Sequence, residues 1–302
     1  GAFIKACPGT PKYICCCYFV VELAVGCPFD CSYCYLQQYQ NFPATIFYVN
    51  FDKLFRELDS VLSKYPDKLF RIGTGEYADS LYLDKYINYS REIADYLSKK
   101  FKNYLIEFKT KHDKVDNLLE RVPTGHEVVS WSVNPQKVMD VNEHLTASLD
   151  ERLEAAKKCA DRGYWIGLHF DPIIYFEGWE QAYSEVVRKI YQKIDSQKII
   201  WISLGTLRFN PHLKSIIETR HPESKIVYAE MIKGLDGKMR YLKDERIRMF
   251  KKVAGQIQKH DKDAFIYFCM EDSQVWKEVL GKEVHSSKDV DRLFLERRKL
   301  LI

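Results

Sequence analysis

Cys27, Cys31 and Cys34 lie close together in the stretch VGCPFDCSYCYL (25–36). Thiolates are the ligands of iron–sulfur clusters, and a cluster of four irons normally takes four of them. Three cysteines in one loop would ligate three irons and leave the fourth open to a ligand that is not a protein side chain. Structural zinc fits the loop less well, because its paired C-x2-C spacings usually come from two separate places in a chain.

Four further cysteines precede this loop in the stretch CPGTPKYICCC (7–17). Cys7, Cys15, Cys16 and Cys17 are dense enough to bind a second iron–sulfur cluster, to which Cys269 could contribute. The alternative is a cysteine-rich strand edge with ordinary buried thiols, which behave as small hydrophobic side chains. A secreted disulfide scaffold would be smaller and would spread its cysteines along the chain, so the clustering favours metal or cluster ligation.

The composition excludes some classes of protein. The chain has 302 residues, 46% of them hydrophobic, and a net charge of +4 that is too small to indicate nucleic-acid binding by itself. No apolar run reaches the roughly 18 residues of a membrane-spanning helix. Pro and Gly interrupt the first residues, where a signal peptide would need an apolar stretch. We therefore expect a cytoplasmic protein without a membrane partner.

Alternating strand and helix patterns must position these thiols. Short runs rich in β-branched and aromatic residues predict strands at 18–26, 69–75, 104–110, 127–133, 164–170 and 198–205. Apolar residues at helical spacing predict helices between and after them, at 52–65, 83–101, 148–163, 179–194 and 211–220. Six strand–helix repeats imply parallel strands, in a doubly wound sheet or a full or partial barrel. In each geometry ligands gather at the carboxyl ends of the strands, where the cysteine loop lies.

The alternation of strand and helix patterns changes after about residue 221. A polar connection is followed by a predicted helix (244–259), a short strand (264–270) and another helix near 273–280. We therefore divide the chain into a Cys-rich N-terminal segment (1–17), a main α/β domain (18–225) and a small C-terminal α/β extension packed on it (226–302).

The motif CPFDCSYC resembles the cluster motif of radical S-adenosylmethionine enzymes. The resemblance implies a [4Fe-4S] cluster whose open iron binds S-adenosyl-L-methionine, a partial (β/α)6 TIM-like barrel, and a flavodoxin- or ferredoxin-type electron donor. Within that superfamily the chain resembles the spore photoproduct lyase family, in blocks such as SWSVNPQKV (130–138) and LRFNPHLKSIIETRHPESK (207–225). That family reverses a thymine lesion in spore DNA by abstracting a hydrogen atom.

The resemblance also assigns roles around the cofactor. Tyr33 should pack near the adenine, and Lys111, Ser132 and Asn134 fall where the family holds the methionyl carboxylate and the ribose. A lysine pairs well with a carboxylate. The alternatives are a solvated lysine at the rim and, for Ser132 and Asn134, turn chemistry around the following proline. Arg208 is expected to meet an anionic substrate or the cofactor carboxylate.

Glu76, in GTGEYADS (73–80), marks a departure from the lyases. The element resembles the glycine–glycine–glutamate motif that holds the amino group of the cofactor in radical enzymes at large. Its alignment places Glu76 where the lyases have the cysteine that returns a hydrogen atom to the product radical. Tyr33 and Tyr35 match a pair of tyrosines linked to that step, so these three residues are the predicted catalytic set.

Three hypotheses remain open from the sequence. The first is a radical enzyme that acts on a thymine lesion or a related nucleotide in DNA. The second is a radical enzyme of the same branch with a different nucleotide or small-molecule substrate, favoured by the few basic residues available to contact DNA. The third is an iron–sulfur or zinc module without catalysis, against which the placement of the cysteine loop and of Glu76 argues.

Overall fold

A curled, open sheet forms the centre of a computed structural model that describes residues 1–10, 12–40 and 42–300. The strands in this part of the chain are β1 (Ile4–Ala6), β2 (Phe19–Val21), β3 (Ala24–Val25), β4 (Asp30–Cys31), β5 (Ile46–Phe47), β6 (Phe70–Gly73), β7 (Tyr104–Thr110), β8 (Glu127–Ser132), β9 (Glu143–His144), β10 (Trp165–Ile173), β11 (Ile199–Thr206), β12 (Arg208–Phe209), β13 (Met231–Lys233), β14 (Met239–Tyr241) and β15 (Ile266–Phe268).

The main sheet has the order β1-β2-β6-β7-β8-β10-β11-β15. Strands β2 to β15 of this sheet run parallel, and only β1 pairs in the antiparallel sense, with β2. The six predicted strands are all present, which confirms the α/β fold with a partial barrel. A seventh parallel strand, β15, comes from the segment expected to form a C-terminal extension, so this segment adds to the sheet itself.

Helices follow the strands and cover the outer face of the sheet. They are α1 (Phe51–Leu62), α2 (Asp84–Ile87), α3 (Tyr89–Lys100), α4 (Asp116–Leu119), α5 (Gln136–Asn142), α6 (Leu149–Arg162), α7 (Trp179–Lys193), α8 (Pro211–Arg220), α9 (Lys243–His260), α10 (Ser273–Leu280) and α11 (Ser287–Lys299). The predicted helix 83–101 is split at Asn88, whose left-handed backbone (φ 56°) separates α2 from α3. Asparagine adopts this conformation more readily than most residues.

The two faces of the main sheet differ in chemistry. Outward-facing side chains such as Ile106, Phe108 and Trp131 pack in the apolar core beneath the helices and are fully buried. Because alternate residues of a strand point to opposite faces, their neighbours point into the barrel. These inner positions are largely polar, including Glu107 on β7 and His169 on β10. A polar lining of this kind is suited to a ligand.

The Cys-rich N-terminal segment lies across the open side of the sheet. The amide of Cys7 donates to the carbonyl of Tyr18 (2.8 Å), which keeps this end of the segment beside β2. Farther along, the amide of Ile14 donates to the carbonyl of Glu271 (3.0 Å), just after β15. The segment therefore links the two edges of the sheet. None of the helices in the described residues is both long and apolar enough to cross a membrane.

Candidate cofactor site and active site

Cys27, Cys31 and Cys34 line one large cavity of about 870 Å³ in the interior of the barrel. The loop that carries them closes in a tight turn, in which the amide of Cys34 donates to the carbonyl of Cys31 (3.0 Å). The side-chain amide of Gln37 then donates to the carbonyls of Cys31, Ser32 and Cys34 at 3.2, 2.8 and 3.3 Å. One side chain thus fixes the backbone between the second and third cysteines.

Contacts from distant parts of the chain hold the same loop. Strand β4, which contains Cys31, pairs with β9. The hydroxyl of Ser32, which is fully buried, donates to the side-chain oxygen of Asn142 (2.8 Å). At the end of α8, Arg220 donates to Gln37 (2.5 Å) and to Asp30 (2.8 Å). Contacts within the protein itself therefore hold the loop in this conformation.

The thiols of this loop fit an iron–sulfur cluster with an open iron. Burial raises the pKa of all three, that of Cys27 to about 12. A thiol binds a metal as the thiolate and loses its proton to solvent, so ligation and ionisation are coupled for thiols with a raised pKa. Three soft sulfur donors facing one side of a cavity suit such a cluster. The remaining volume lies within the range of small-molecule sites.

Tyr33, Lys111 and Asn134 converge on one residue that the sequence analysis did not single out. This is Glu143, at the start of β9, whose side chain is fully buried. The Tyr33 hydroxyl donates to Glu143, Lys111 lies 3.1 Å from the same carboxylate oxygen, and Asn134 donates to it at 3.0 Å. Burial alone would raise the pKa of Glu143, but the charges of Lys111 and Arg152 hold it well below its usual value.

Not all of these residues reach the cavity. Tyr33, Lys111 and Ser132 line it, whereas Asn134 is only 1% exposed and accepts a hydrogen bond from Tyr183 (2.8 Å) in addition to its bond to Glu143. Asn134 is thus engaged on both sides of its amide in this structure, and its contact with the ribose stays a prediction. Glu143 stands between Asn142 and His144 in the sequence, so no local signal marked it as a buried carboxylate.

Tyr35 and Glu76, predicted from separate parts of the sequence, are in contact. The Tyr35 hydroxyl donates to the main-chain carbonyl of Glu76 (2.5 Å) and lies 3.3 Å from its carboxylate. Both residues line the cavity, and Tyr35 remains 38% exposed at its mouth. The pair therefore stands beside the last cluster cysteine, where a substrate would enter.

The cysteines of the N-terminal segment and Cys269 line two neighbouring spaces, and Cys7 and Cys15 line both. Cys7, Cys15 and Cys16 line the same cavity as the cluster loop, as does Cys269, whose sulfur is 3.5 Å from the guanidinium of Arg208. Cys17, in contrast, lines a smaller neighbouring pocket. The thiol of Cys15 donates to Cys7 and lowers the pKa of Cys7, and a hydrogen bond with Cys15 together with burial raises the pKa of Cys16. The three thiols form a row with Cys15 in the middle, hereafter the thiol row.

The interior of the cavity carries an ionic network. Glu107 is 5% exposed, and its Oε1 accepts hydrogen bonds from Ser130 (2.5 Å) and Trp201 (3.2 Å) and lies 2.7 Å from Nε2 of His169. Arg208 forms a bidentate pair with Asp171 at 2.9 and 3.1 Å. Arg208, expected from the sequence to meet an anionic substrate or the cofactor carboxylate, lines the cavity together with His169 and Asp171. Glu107 was missed, although a carboxylate inside the apolar strand YLIEFKT was a visible signal.

Replacement of Glu107 by Gln is expected to lower stability in a pH-dependent way. Burial would raise the pKa of Glu107, but the charge of His169 and its hydrogen bonds lower it to about 2. A depressed pKa stabilises the folded protein above the unfolded value of about 4.3, and this stabilisation is lost as the pH falls toward 2. At pH 7 Glu107→Gln should reduce the free energy of unfolding by about 2–3 kcal/mol.

Denaturant unfolding of both proteins between pH 2 and pH 7 measures this difference. The control is Glu92→Gln, at an exposed position of α3. If the gap between Glu107→Gln and the wild type did not narrow below about pH 4.3, the ionic account of this network would be wrong.

Comparisons with known proteins agree with this geometry. The family model described as spore photoproduct lyase matches residues 14–269. The spore photoproduct lyase of Geobacillus sp. (strain Y412MC61) is 29% identical over 211 residues, which cover 69% of this chain and 62% of the relative. That of Bacillus subtilis (strain 168) is 28% identical over 236 residues, 75% of this chain and 69% of the relative. The chain therefore spans less than two thirds of the length of the Geobacillus relative.

A solved structure has the same architecture. A mutant spore photoproduct lyase with bound AdoMet and dinucleoside spore photoproduct superposes with a TM-score of 0.79 at 26% identity. The superposition covers 88% of this chain and 79% of that one.

Proposed function

Because the chain belongs to the spore photoproduct lyase family, we propose that it is a radical S-adenosylmethionine enzyme that acts on a thymine lesion in DNA. The observation that carries the proposal is the single cavity that holds the three cluster cysteines together with Tyr35, Glu76 and Lys111. A bound [4Fe-4S] cluster and S-adenosylmethionine would supply the hydrogen-abstracting radical. The protein would supply ligation, orientation and shielding from water.

Different residues around the cavity would bind the cluster and the two ends of the cofactor. Cys27, Cys31 and Cys34 would hold the cluster. Glu76 offers a carboxylate to the amino group of the cofactor, and Lys111 an ammonium to its carboxylate. Lys111 is already balanced by Glu143, so a cofactor carboxylate would share a lysine that is fixed in place beforehand. Tyr33, next to the cluster cysteines, is positioned by the same glutamate.

The thiol row offers a source for the hydrogen atom that the product radical must regain. Glu76 replaces the cysteine expected in the loop after β6, but Cys7, Cys15 and Cys16 face the same cavity from the N-terminal segment. We propose that Cys15 is the donor. Its S–H bond breaks and a C–H bond forms on the product. The thiyl radical left on sulfur then takes a hydrogen atom from the hydroxyl of Tyr35, which lines the same cavity, and one electron from the electron donor with one proton from solvent would restore the tyrosine.

Cys15→Ala should uncouple cofactor cleavage from repair. Formation of 5′-deoxyadenosine should continue, while formation of the repaired dinucleotide falls about tenfold, equivalent to about 1.4 kcal/mol of barrier. The matched control is Cys17→Ala, because Cys17 lies outside the main cavity. Full repair by Cys15→Ala, or the same loss in Cys269→Ala alone, would assign the donor elsewhere.

A second cluster at Cys7, Cys15, Cys16 and Cys17 is the competing use of the same thiols. Each cubane brings four irons, so the reconstituted protein should contain about eight irons per chain if the second cluster forms and about four if the thiols stay free. Cys16 does not line the smaller pocket and Cys17 does not line the main cavity, so neither space is lined by all four thiols, which supports the lower value. A count near eight would overturn the assignment of Cys15 as donor.

The proposed activity is tested anaerobically with reconstituted protein, dithionite, S-adenosylmethionine and dinucleoside spore photoproduct. Restored thymidylyl-thymidine together with 5′-deoxyadenosine is the expected result. Absence of 5′-deoxyadenosine would mean that the protein is not a radical S-adenosylmethionine enzyme. Brisk 5′-deoxyadenosine formation without repair would point to another substrate.

That alternative, a different nucleotide or small molecule, is favoured by the scarcity of free basic residues near β13 and β14. Lys233 on β13 is exposed, but Arg240 is 1% exposed and paired with Asp236, Lys238 lines the cavity and donates to Thr10, and Lys243 pairs with Asp272. Duplex DNA normally needs a phosphate-contacting surface. A flavodoxin- or ferredoxin-type electron donor and a cytoplasmic location remain predictions from the sequence.

A further inference from the structure

A second group of possible metal ligands lies outside the cavity, next to the cluster loop. It consists of His144 on β9, His221 directly after α8, and Glu223 two residues later, hereafter the His–His–Glu group. One ligand atom from each residue lies within 4.8 Å of those of the other two. Among the described residues, this is the group of histidine, cysteine and acidic side chains that meets such a distance limit.

The three side chains of the His–His–Glu group point toward one space and do not form good hydrogen bonds with one another. Nε2 of His144 lies 3.4 Å from Oε1 of Glu223, and Nδ1 of His221 lies 3.8 Å from the same oxygen. Both distances exceed a good N–H···O hydrogen bond. The imidazole rings are stacked, with centroids 5.6 Å apart and planes at 12°. Two nitrogens and one carboxylate oxygen thus surround a small space.

An independent observation concerns the other nitrogen of His221. This side chain is 2% exposed, and its Nε2 is buried without a hydrogen-bond partner in the part of the chain that the structure describes. Oδ1 of Asp30 lies 3.5 Å away, within reach of a small adjustment. A histidine that binds a metal through one nitrogen usually directs its other N–H to a carboxylate, which is the relation of His221 to Asp30.

We propose that His144, His221 and Glu223 bind a divalent transition metal of the zinc class. Two imidazoles and one carboxylate form a zinc donor set, with a fourth position left for water. Glu223 is 48% exposed and His144 35%, so a metal can reach the site from solvent. The nearby Arg220 does not oppose the cation, because its charge is balanced by Asp30 at 2.8 Å.

The bound metal would brace the cluster loop from outside. His144 lies on β9, which pairs with β4 and Cys31. Next to Glu223, the hydroxyl of Ser224 donates to Asn142 (2.6 Å), the same side chain that holds Ser32. A metal at the His–His–Glu group would join β9 to the end of α8 on either side of this network. The inference does not rest on the proposed activity.

The test measures zinc in the iron-loaded protein after incubation with zinc chloride and removal of free metal. Thiols also bind zinc, so each variant keeps all nine cysteines. Wild type should retain about one more zinc ion per chain than His144→Ala or Glu223→Gln, as expected for a single mononuclear site. The control His285→Ala, at an exposed histidine beside Glu283, should match the wild type.

Thermal unfolding gives a second readout. A ligand that binds only the folded state raises its melting temperature. Zinc should therefore raise the melting temperature of the wild type and of His285→Ala more than the melting temperature of His144→Ala or Glu223→Gln. Both affected side chains are partly exposed, so these variants are expected to fold. Equal zinc content and equal thermal shifts in all four proteins would overturn the proposal, whatever the outcome of the repair assay.

Discussion

Replacing Cys31 with alanine is expected to abolish both the iron–sulfur cluster and the formation of 5′-deoxyadenosine. Two remaining thiols of the loop cannot hold a cluster that uses three. Cys31 is only 6% exposed, on a strand paired with β9, so no mobile side chain can take its place. Iron content should fall from about four per chain toward zero, as measured by iron analysis and by the visible absorption of the reconstituted protein.

Cys159→Ala is the matched control for this experiment. Cys159 is a fully buried thiol on α6 in the apolar core, and it does not line the cavity. Its replacement should cost about 1 kcal/mol of stability through lost apolar contact and leave the iron content unchanged. If Cys31→Ala retained iron and cofactor cleavage while folded, the cluster assignment itself would be wrong.

Arg152→Ala is expected to cause a large loss of stability. Arg152 is fully buried and donates to the carbonyls of Ala147 and Ser132 (both 2.9 Å), to Thr146 (2.7 Å) and to the carboxylate of Glu143 (2.7 Å). Arg152→Ala removes these four hydrogen bonds and leaves Glu143 with Lys111 as its cationic partner. Loss of one partner of a buried ion pair costs up to about 3–5 kcal/mol. Urea unfolding at neutral pH measures the change in the free energy of unfolding.

An exposed arginine provides the comparison. Arg188, on the outside of α7, pairs with Glu185 in solvent, and Arg188→Ala should change stability far less than Arg152→Ala. The double variant Arg152→Met with Glu143→Gln removes both buried charges and should recover part of the loss. A cost for Arg152→Ala as small as that for Arg188→Ala would show that Glu143 is not held by this pair.

The sequence predicted well the features whose signals are local. Strand and helix patterns gave the parallel sheet, and the spacing of Cys27, Cys31 and Cys34 placed them on one loop that the structure keeps in the cavity. The resemblance brought Tyr35 and Glu76 to attention separately, and the two side chains are in contact.

The features that were missed depend on residues distant in sequence. Glu143 becomes central only because β9 pairs with β4, which brings it to Tyr33 and Lys111. The role of Glu107 could be predicted only from the pairing register of β7, β8 and β10, which places Ser130 and His169 beside it. An isolated acidic residue in an apolar stretch signals burial, but it does not say which cation will meet it.

The position of the thiol row could not be predicted either, because no local signal around Cys15 indicates that this segment contacts the end of β15. The segment reaches that strand through the hydrogen bond between Ile14 and Glu271, which lie near opposite ends of the described chain. The wall of the cavity that the N-terminal segment forms is therefore complete only after β15 has been synthesised. In a nascent chain that ends after β11, the cavity lined by Cys27, Cys31 and Cys34 would remain open to solvent on this side. We therefore expect the cavity to close around these thiols only after β15 has been synthesised.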